Sequence, residues 1–151
     1  MVFLNLLWGT LVLRPYVFAF LACYLVLATW QFGLGRTLAF LAAGYLVSWL
    51  AELSSIHTGF PFGLYIYIPA TLDRELWVAG VPFMDSLSYV FMAFASYSLA
   101  LLALSPGRWQ GRRFFLDDRA LLHSWRSTIL GGVLMMTLDV VIHPVALRGY
   151  H

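Results

Sequence analysis

Apolar residues run through this chain in blocks too long and too unbroken for the one-sided stripe of a soluble helix. Four blocks, Pro15–Gly33, Thr37–Leu53, Ser86–Leu104 and Ser127–Leu147, each approach the roughly 20 residues that a helix needs to cross a hydrocarbon core about 30 Å thick. Val2–Leu13 is apolar but short, and Arg14-Pro15 interrupts it, which predicts a half-helix or interfacial segment; one long kinked first helix is the alternative. The pattern predicts an all-α fold, a polytopic membrane helix bundle of about four transmembrane helices, with 1–151 as a single transmembrane domain.

The connection between the second and third spans is unusual. From Ser54 to Asp85 it carries Phe60, Phe62, Tyr65, Tyr67, Trp77 and Phe83 among Gly59, Gly63, Gly80, Pro61, Pro69 and Pro82. Interfacial aromatic belts explain part of this. The Gly and Pro density predicts irregular backbone that dips back and is partly buried against the helices, because such backbone is tolerated at depth only where protein covers it.

Composition agrees: 62% of residues are hydrophobic and 11% charged, against about 25% charged in ordinary soluble domains. The nine basic residues are all Arg and the net charge is +2, too little and too scattered for nucleic acid. The single cysteine, Cys23, excludes a disulfide framework and a cysteine-based zinc site. With no basic residue before the first apolar block, the N-terminus reads as retained rather than as a cleaved signal. Arg108, Arg112, Arg113, Arg119 and Arg126 crowd the connection before the last span, so the positive-inside rule places loop 105–126 in the cytoplasm and residues 54–85 outside, in the cell (inner) membrane. Arg36 agrees with this orientation; Arg14 and Arg148 oppose it. Within that inner loop Asp117-Asp118 predict a capped short helix whose Leu121, Leu122 and Trp125 rest on headgroups.

Ionisable groups inside a membrane are costly, so each needs a partner or a purpose. Glu52 lies near the outer end of the second span, and Tyr45, Ser48, Glu52 and Ser55 share one face of it. The bland alternative is an interfacial anchor. Asp85 opens the third span, where it makes a good N-cap; a chemical role is the alternative, and the two are compatible because a cap can face a cavity. Asp139 is the most interior acid, with His143 one turn on and Pro144 freeing the carbonyl of Val140; a satisfied structural Asp–His pair is the alternative to a functional one. Imidazole plus carboxylate suits a metal, but no two His sit at helical spacing, and none is expected.

The stretch Glu52-Leu-Ser-Ser-Ile-His-Thr-Gly-Phe-Pro-Phe-Gly-Leu-Tyr-Ile-Tyr, the following Arg74-Glu-Leu-Trp-Val-Ala-Gly-Val-Pro-Phe-Met-Asp-Ser-Leu-Ser and the segment Leu138-Asp-Val-Val-Ile-His-Pro-Val-Ala-Leu-Arg-Gly resemble the carotenoid 1,2-hydratase family, the bisanhydrobacterioruberin hydratase-like membrane proteins. The motifs cover most of residues 36–149. Family members carry an acid where this chain has His143 and continue through several more helices, so the chain resembles the first half of one. The resemblance implies carotenoid biosynthesis: hydration of a terminal double bond of a long acyclic carotenoid to a tertiary alcohol, as a hydro-lyase without a cofactor.

That chemistry needs a proton donor, stabilisation of a tertiary carbocation and a positioned water. A carboxylic acid in apolar surroundings is a usable donor, and Glu52 or Asp139 fits the part. Aromatic faces attract a cation by about 0.5–2 kcal/mol each, and Phe60, Phe62, Tyr65 and Tyr67, with His57 and His143, are the expected substrate contacts. Asp85 is the expected acceptor of the water's proton. Two other classes compete: a membrane protein that binds a carotenoid or isoprenoid without changing it, and an ion pathway, which needs a polar file that the first span barely offers. The expected partners are the bilayer and the carotenoid; Gly131-Gly132 offer close helix packing in a homo-oligomer.

Overall fold

The computed structural model describes the backbone of residues 2–105, 107–110, 113–116 and 124–148, and the side chains of 3–69, 71–105 and 124–141. Five helices follow one another: α1 Val2–Leu13, α2 Pro15–Phe32, α3 Leu34–Thr58, α4 Phe83–Leu104 and α5 Trp125–Arg148. Two short antiparallel hairpins stand between them, β1 Trp77–Val78 with β2 Val81–Pro82, and β3 Gly107–Gln110 with β4 Arg113–Leu116. α2, α3 and α4 are each long and apolar enough to cross a membrane. The expected all-α membrane helix bundle is borne out.

Burial is distributed as lipid, not water, would require. Trp30, Val26 and Val47 are exposed, whereas Thr10, Thr37, Glu52, Ser55, Glu75 and Ser86 are fully buried. A soluble domain shows the reverse preference.

The chain divides into two compact units, Met1–Phe91 and Met92–His151, with the boundary inside α4. In the first, the break after α1 falls where the sequence puts it. Arg14 leaves helical geometry (φ −130, ψ 54) because the residue before a proline is pushed out of the α region, and Pro15 then starts α2. α1 is more than an interfacial half-helix, since it docks on the loop that follows α3. Thr10 Oγ1 donates to Leu6 O at 2.6 Å and accepts the Leu76 N–H at 3.1 Å. At Gly9 a Cβ would come within 2.0 Å of the Arg74 carbonyl oxygen. Gly9→Ala therefore loses more to this backbone clash than the roughly 1 kcal/mol it gains in helix propensity. We expect the purified variant to melt lower than the parent; a higher midpoint would mean that α1 does not dock there.

α3 runs longer at both ends than the predicted Thr37–Leu53. Its start follows a one-residue break at Gly33, and Tyr24 of α2 donates its hydroxyl to the Thr37 carbonyl at 2.9 Å. Beyond Leu53 it holds Ser54, Ser55 and Thr58, whose polarity ends a hydropathy window but not a helix. Gly59 stops it, in the left-handed conformation (φ 80) with its N–H on Ser55 O. The loop from 59 to 82 then folds back as expected. The Phe62 N–H donates to Ser55 Oγ at 3.1 Å, and the Trp49 indole donates to Val78 O at 3.2 Å. Ala79 and Gly80, both at positive φ, turn the chain between β1 and β2.

In the second unit the loop that the sequence places in the cytoplasm contains the β3–β4 hairpin, whose Trp109, Phe114 and Phe115 are good strand formers. The expected short helix at 117–126 falls mostly outside the described residues, although Trp125 and Arg126 already belong to α5. Gly131 is buried rather than free for another molecule, since a Cβ there would meet the Tyr97 backbone at 3.3 Å; Gly132 alone is open.

Candidate functional site

The sequence stripe on α3 and the refolded loop meet at Glu52. Tyr45, Trp49 and Glu52 lie at i, i+4 and i+7, one face of the helix. Trp49 holds the hairpin by the Val78 carbonyl, and the Tyr45 ring packs on Phe83, the first residue of α4, at 4.8 Å. Gly44 lets α3 and α4 approach closely, since a Cβ there would stand 3.2 Å from Val90. Ser86 of α4 is thereby brought to Glu52 and donates its hydroxyl to Oε2 at 2.8 Å, both residues fully buried.

The other carboxyl oxygen, Oε1, has no hydrogen-bond partner, nor have the Tyr45 hydroxyl and the Trp77 indole nitrogen, all buried. Along residues 64–68 Tyr65 and Tyr67 are half-buried while Leu64, Ile66 and Ile68 are exposed, the alternation of an extended segment. The Tyr65 and Tyr67 rings meet edge to face at 5.3 Å, and Tyr67 meets Trp77 likewise at 5.9 Å. Burial, with Glu52 nearby, pushes the Tyr67 phenol far above its usual range, and burial also raises Tyr65. Both therefore stay neutral donors through physiological pH.

Beside this aromatic wall lies an ion cluster. Arg14 Nε donates to Glu75 Oε2 at 2.9 Å, another of its nitrogens bonds Asp85, and Thr71 bonds the second oxygen of Glu75. Glu75 is fully buried, whereas Arg14 is 14% and Asp85 26% exposed. Asp85 is thus not the expected N-cap: α4 begins at Phe83, and Asp85 sits in its first turn, favoured there by the helix dipole and held by Arg14. One of its oxygens carries the Arg14 bond, so a proton taken from water would go to the other. Glu52, by contrast, has no cation among the described residues within salt-bridge distance.

Of the remaining candidates, His57, Phe60 and Phe62 are exposed rather than buried with Glu52. His57, five residues on, faces about 140° away on the helix and is exposed. Phe60 is 75% exposed, and Phe62, stacked on Tyr89 at 6.2 Å, is 57% exposed. Asp139 belongs to the second unit and is exposed on α5 rather than turned inward; the side chain of His143, and with it the expected Asp139–His143 bond, falls outside the described residues. Among the described residues no three His, Cys, Asp or Glu side chains are grouped to hold a metal ion.

Five contributors escaped the sequence reading of the site: Ser86, Trp77, Arg14, Glu75 and Thr71. Arg14 left a signal, because an arginine on the wrong side for the positive-inside rule calls for local acids, and Glu75 and Asp85 flank the same loop. Ser86 and Trp77 left none beyond their residue types.

A protein-family model described as "Carotenoid biosynthesis protein" matches residues 7–150. No curated protein and no solved structure matches the chain.

Proposed function

From the chain's membership in the carotenoid biosynthesis protein family, we propose that it adds water to a terminal double bond of a long acyclic carotenoid, with Glu52 as the proton donor. One observation carries this reading: Glu52 is fully buried, anchored through one oxygen by Ser86, neighboured by the Tyr45 and Tyr67 phenols, and has no cation among the described residues within salt-bridge distance. In its acid form such a group can protonate the CH carbon of a trisubstituted alkene. The positive charge then falls on the tertiary carbon, where aromatic faces stabilise it. A water oxygen bonds that carbon and gives one proton back to Glu52, so the elements of water are added and the acid is regenerated. No electrons change hands, and no redox cofactor is required by the balance.

The polyene itself is apolar and resides in the bilayer, which suits helices whose outward faces are apolar. We place loop 105–126 on the cytoplasmic side of the inner membrane, with the cluster around Glu52 toward the outer side. Arg14, the apparent exception, is neutralised by Glu75 and Asp85 and carries no orienting weight.

Cells accumulating lycopene provide the test. On expression of this chain, chromatography with mass spectrometry should reveal a pigment heavier by one water. Unchanged lycopene that co-purifies with the protein would replace the hydratase reading with one of binding alone.

A further inference from the structure

Three of the buried polar atoms without partners, Glu52 Oε1, the Tyr45 hydroxyl and the Trp77 indole nitrogen, are carried by elements that are tied together. Glu52 and Tyr45 project from the same face of α3, and Trp49 between them ties that face to Val78, the residue after Trp77. Trp77 pairs across the hairpin with Pro82, and the next residue, Phe83, packs on Tyr45. Ser86, one turn further along α4, holds Glu52. The face of α3, the hairpin and the start of α4 thus stand against one another, and α3 and the hairpin carry the carboxyl oxygen, the phenol and the indole nitrogen that lack partners.

We propose that these three groups converge on one water molecule, bound by Tyr45, Trp77 and Glu52 Oε1, and that it is the water added to the alkene. The inventory matches: a buried water makes about three hydrogen bonds to otherwise unsatisfied groups, and three are present. The water accepts from the Trp77 N–H, shares a hydrogen bond with the Tyr45 phenol and adjoins Oε1. When Glu52 has given its proton to the alkene, Oε1 is left as an acceptor; the water's free lone pair bonds the tertiary carbon as one O–H proton passes to Oε1. One C–H and one C–O bond form, the π bond and one O–H bond break, and Glu52 ends as it began. The second clause of the proposal rests on the hydratase reading, whereas the water site itself does not.

Infrared spectra of the full chain in lipid nanodiscs, taken in ordinary water and in H2-18O, separate the two. We expect an isotope-sensitive O–H band from an isolated water, lost or shifted in Tyr45→Phe and in Trp77→Phe while circular dichroism shows unchanged helix content. Lycopene hydration by Tyr45→Phe should fall on the order of tenfold, the worth of one hydrogen bond lost at the reacting water. No such band in the parent, or a band that both variants retain, overturns the site. Hydration at the parental rate in Tyr45→Phe overturns its role as the added water. A band that behaves as expected in a protein that hydrates nothing leaves the water site standing and removes the hydratase reading instead.

Discussion

Arg14→Ala should cost about 3–5 kcal/mol of stability, the range for removing one partner from a buried ion pair. The loss is large because the arginine serves two acids at once: Glu75, 1% exposed, and Asp85, in the first turn of α4. Without it, the buried Glu75 and the part-buried Asp85 repel each other with no guanidinium to offset them. Marginal stabilities are commonly about 5–15 kcal/mol, so a detergent-solubilised variant should melt far below the parent or accumulate poorly. Arg14→Lys should recover only part of the loss, since one ammonium cannot reproduce a planar fork that reaches two carboxylates. The decisive comparison is the triple variant Arg14→Ala, Glu75→Gln, Asp85→Asn, which removes the charge imbalance along with the bonds. It should be clearly more stable than Arg14→Ala alone. If Arg14→Ala melts with the parent, the acids are hydrated and the cluster does not close α1 and the loop over Glu52.

The helices were legible because a membrane span leaves a long, coarse signal: twenty apolar residues survive errors of two or three at either end. α2, α4 and the break at Arg14-Pro15 follow from hydropathy and from proline geometry. The last turn of α3 did not, because Ser55 and Thr58 spend their polarity on the backbone, which a hydropathy average reads as loop. At the site, Glu52 was legible from the cost of a carboxyl in an apolar stretch. The neighbours it would have were not. Ser86 and Trp77 are brought there by the close passage of α3 and α4 at Gly44 and by the hairpin turn at Ala79-Gly80, contacts between positions far apart in the chain. Local spacing does not specify them. The same limit misassigned Asp85: its position before a long helix fits a cap, and only the return of α1 past the loop supplies the arginine that claims it.

Glu52→Gln should leave the protein folded and slow hydration by about 10²–10⁴-fold, the usual contribution of a general acid. Glutamine has the shape of the protonated acid, and its carbonyl oxygen can still accept the Ser86 hydroxyl, so the packing between α3 and α4 survives. What it lacks is a transferable proton. Glu52→Asp keeps the proton but withdraws the carboxyl by one methylene from Ser86 and from the alkene, and should fall between the two, because a misplacement of about 1 Å already costs about 10²-fold. Ser86→Ala frees Oε2 without changing its chemistry, so it should lower the rate less than Glu52→Gln does while still allowing the carotenoid to bind. Rates measured on lycopene in proteoliposomes, with melting curves beside them, distinguish a lost proton donor from a damaged fold. If Glu52→Gln turns over at the parental rate, the proton comes from elsewhere, and Asp139 of α5 is the next acid to replace.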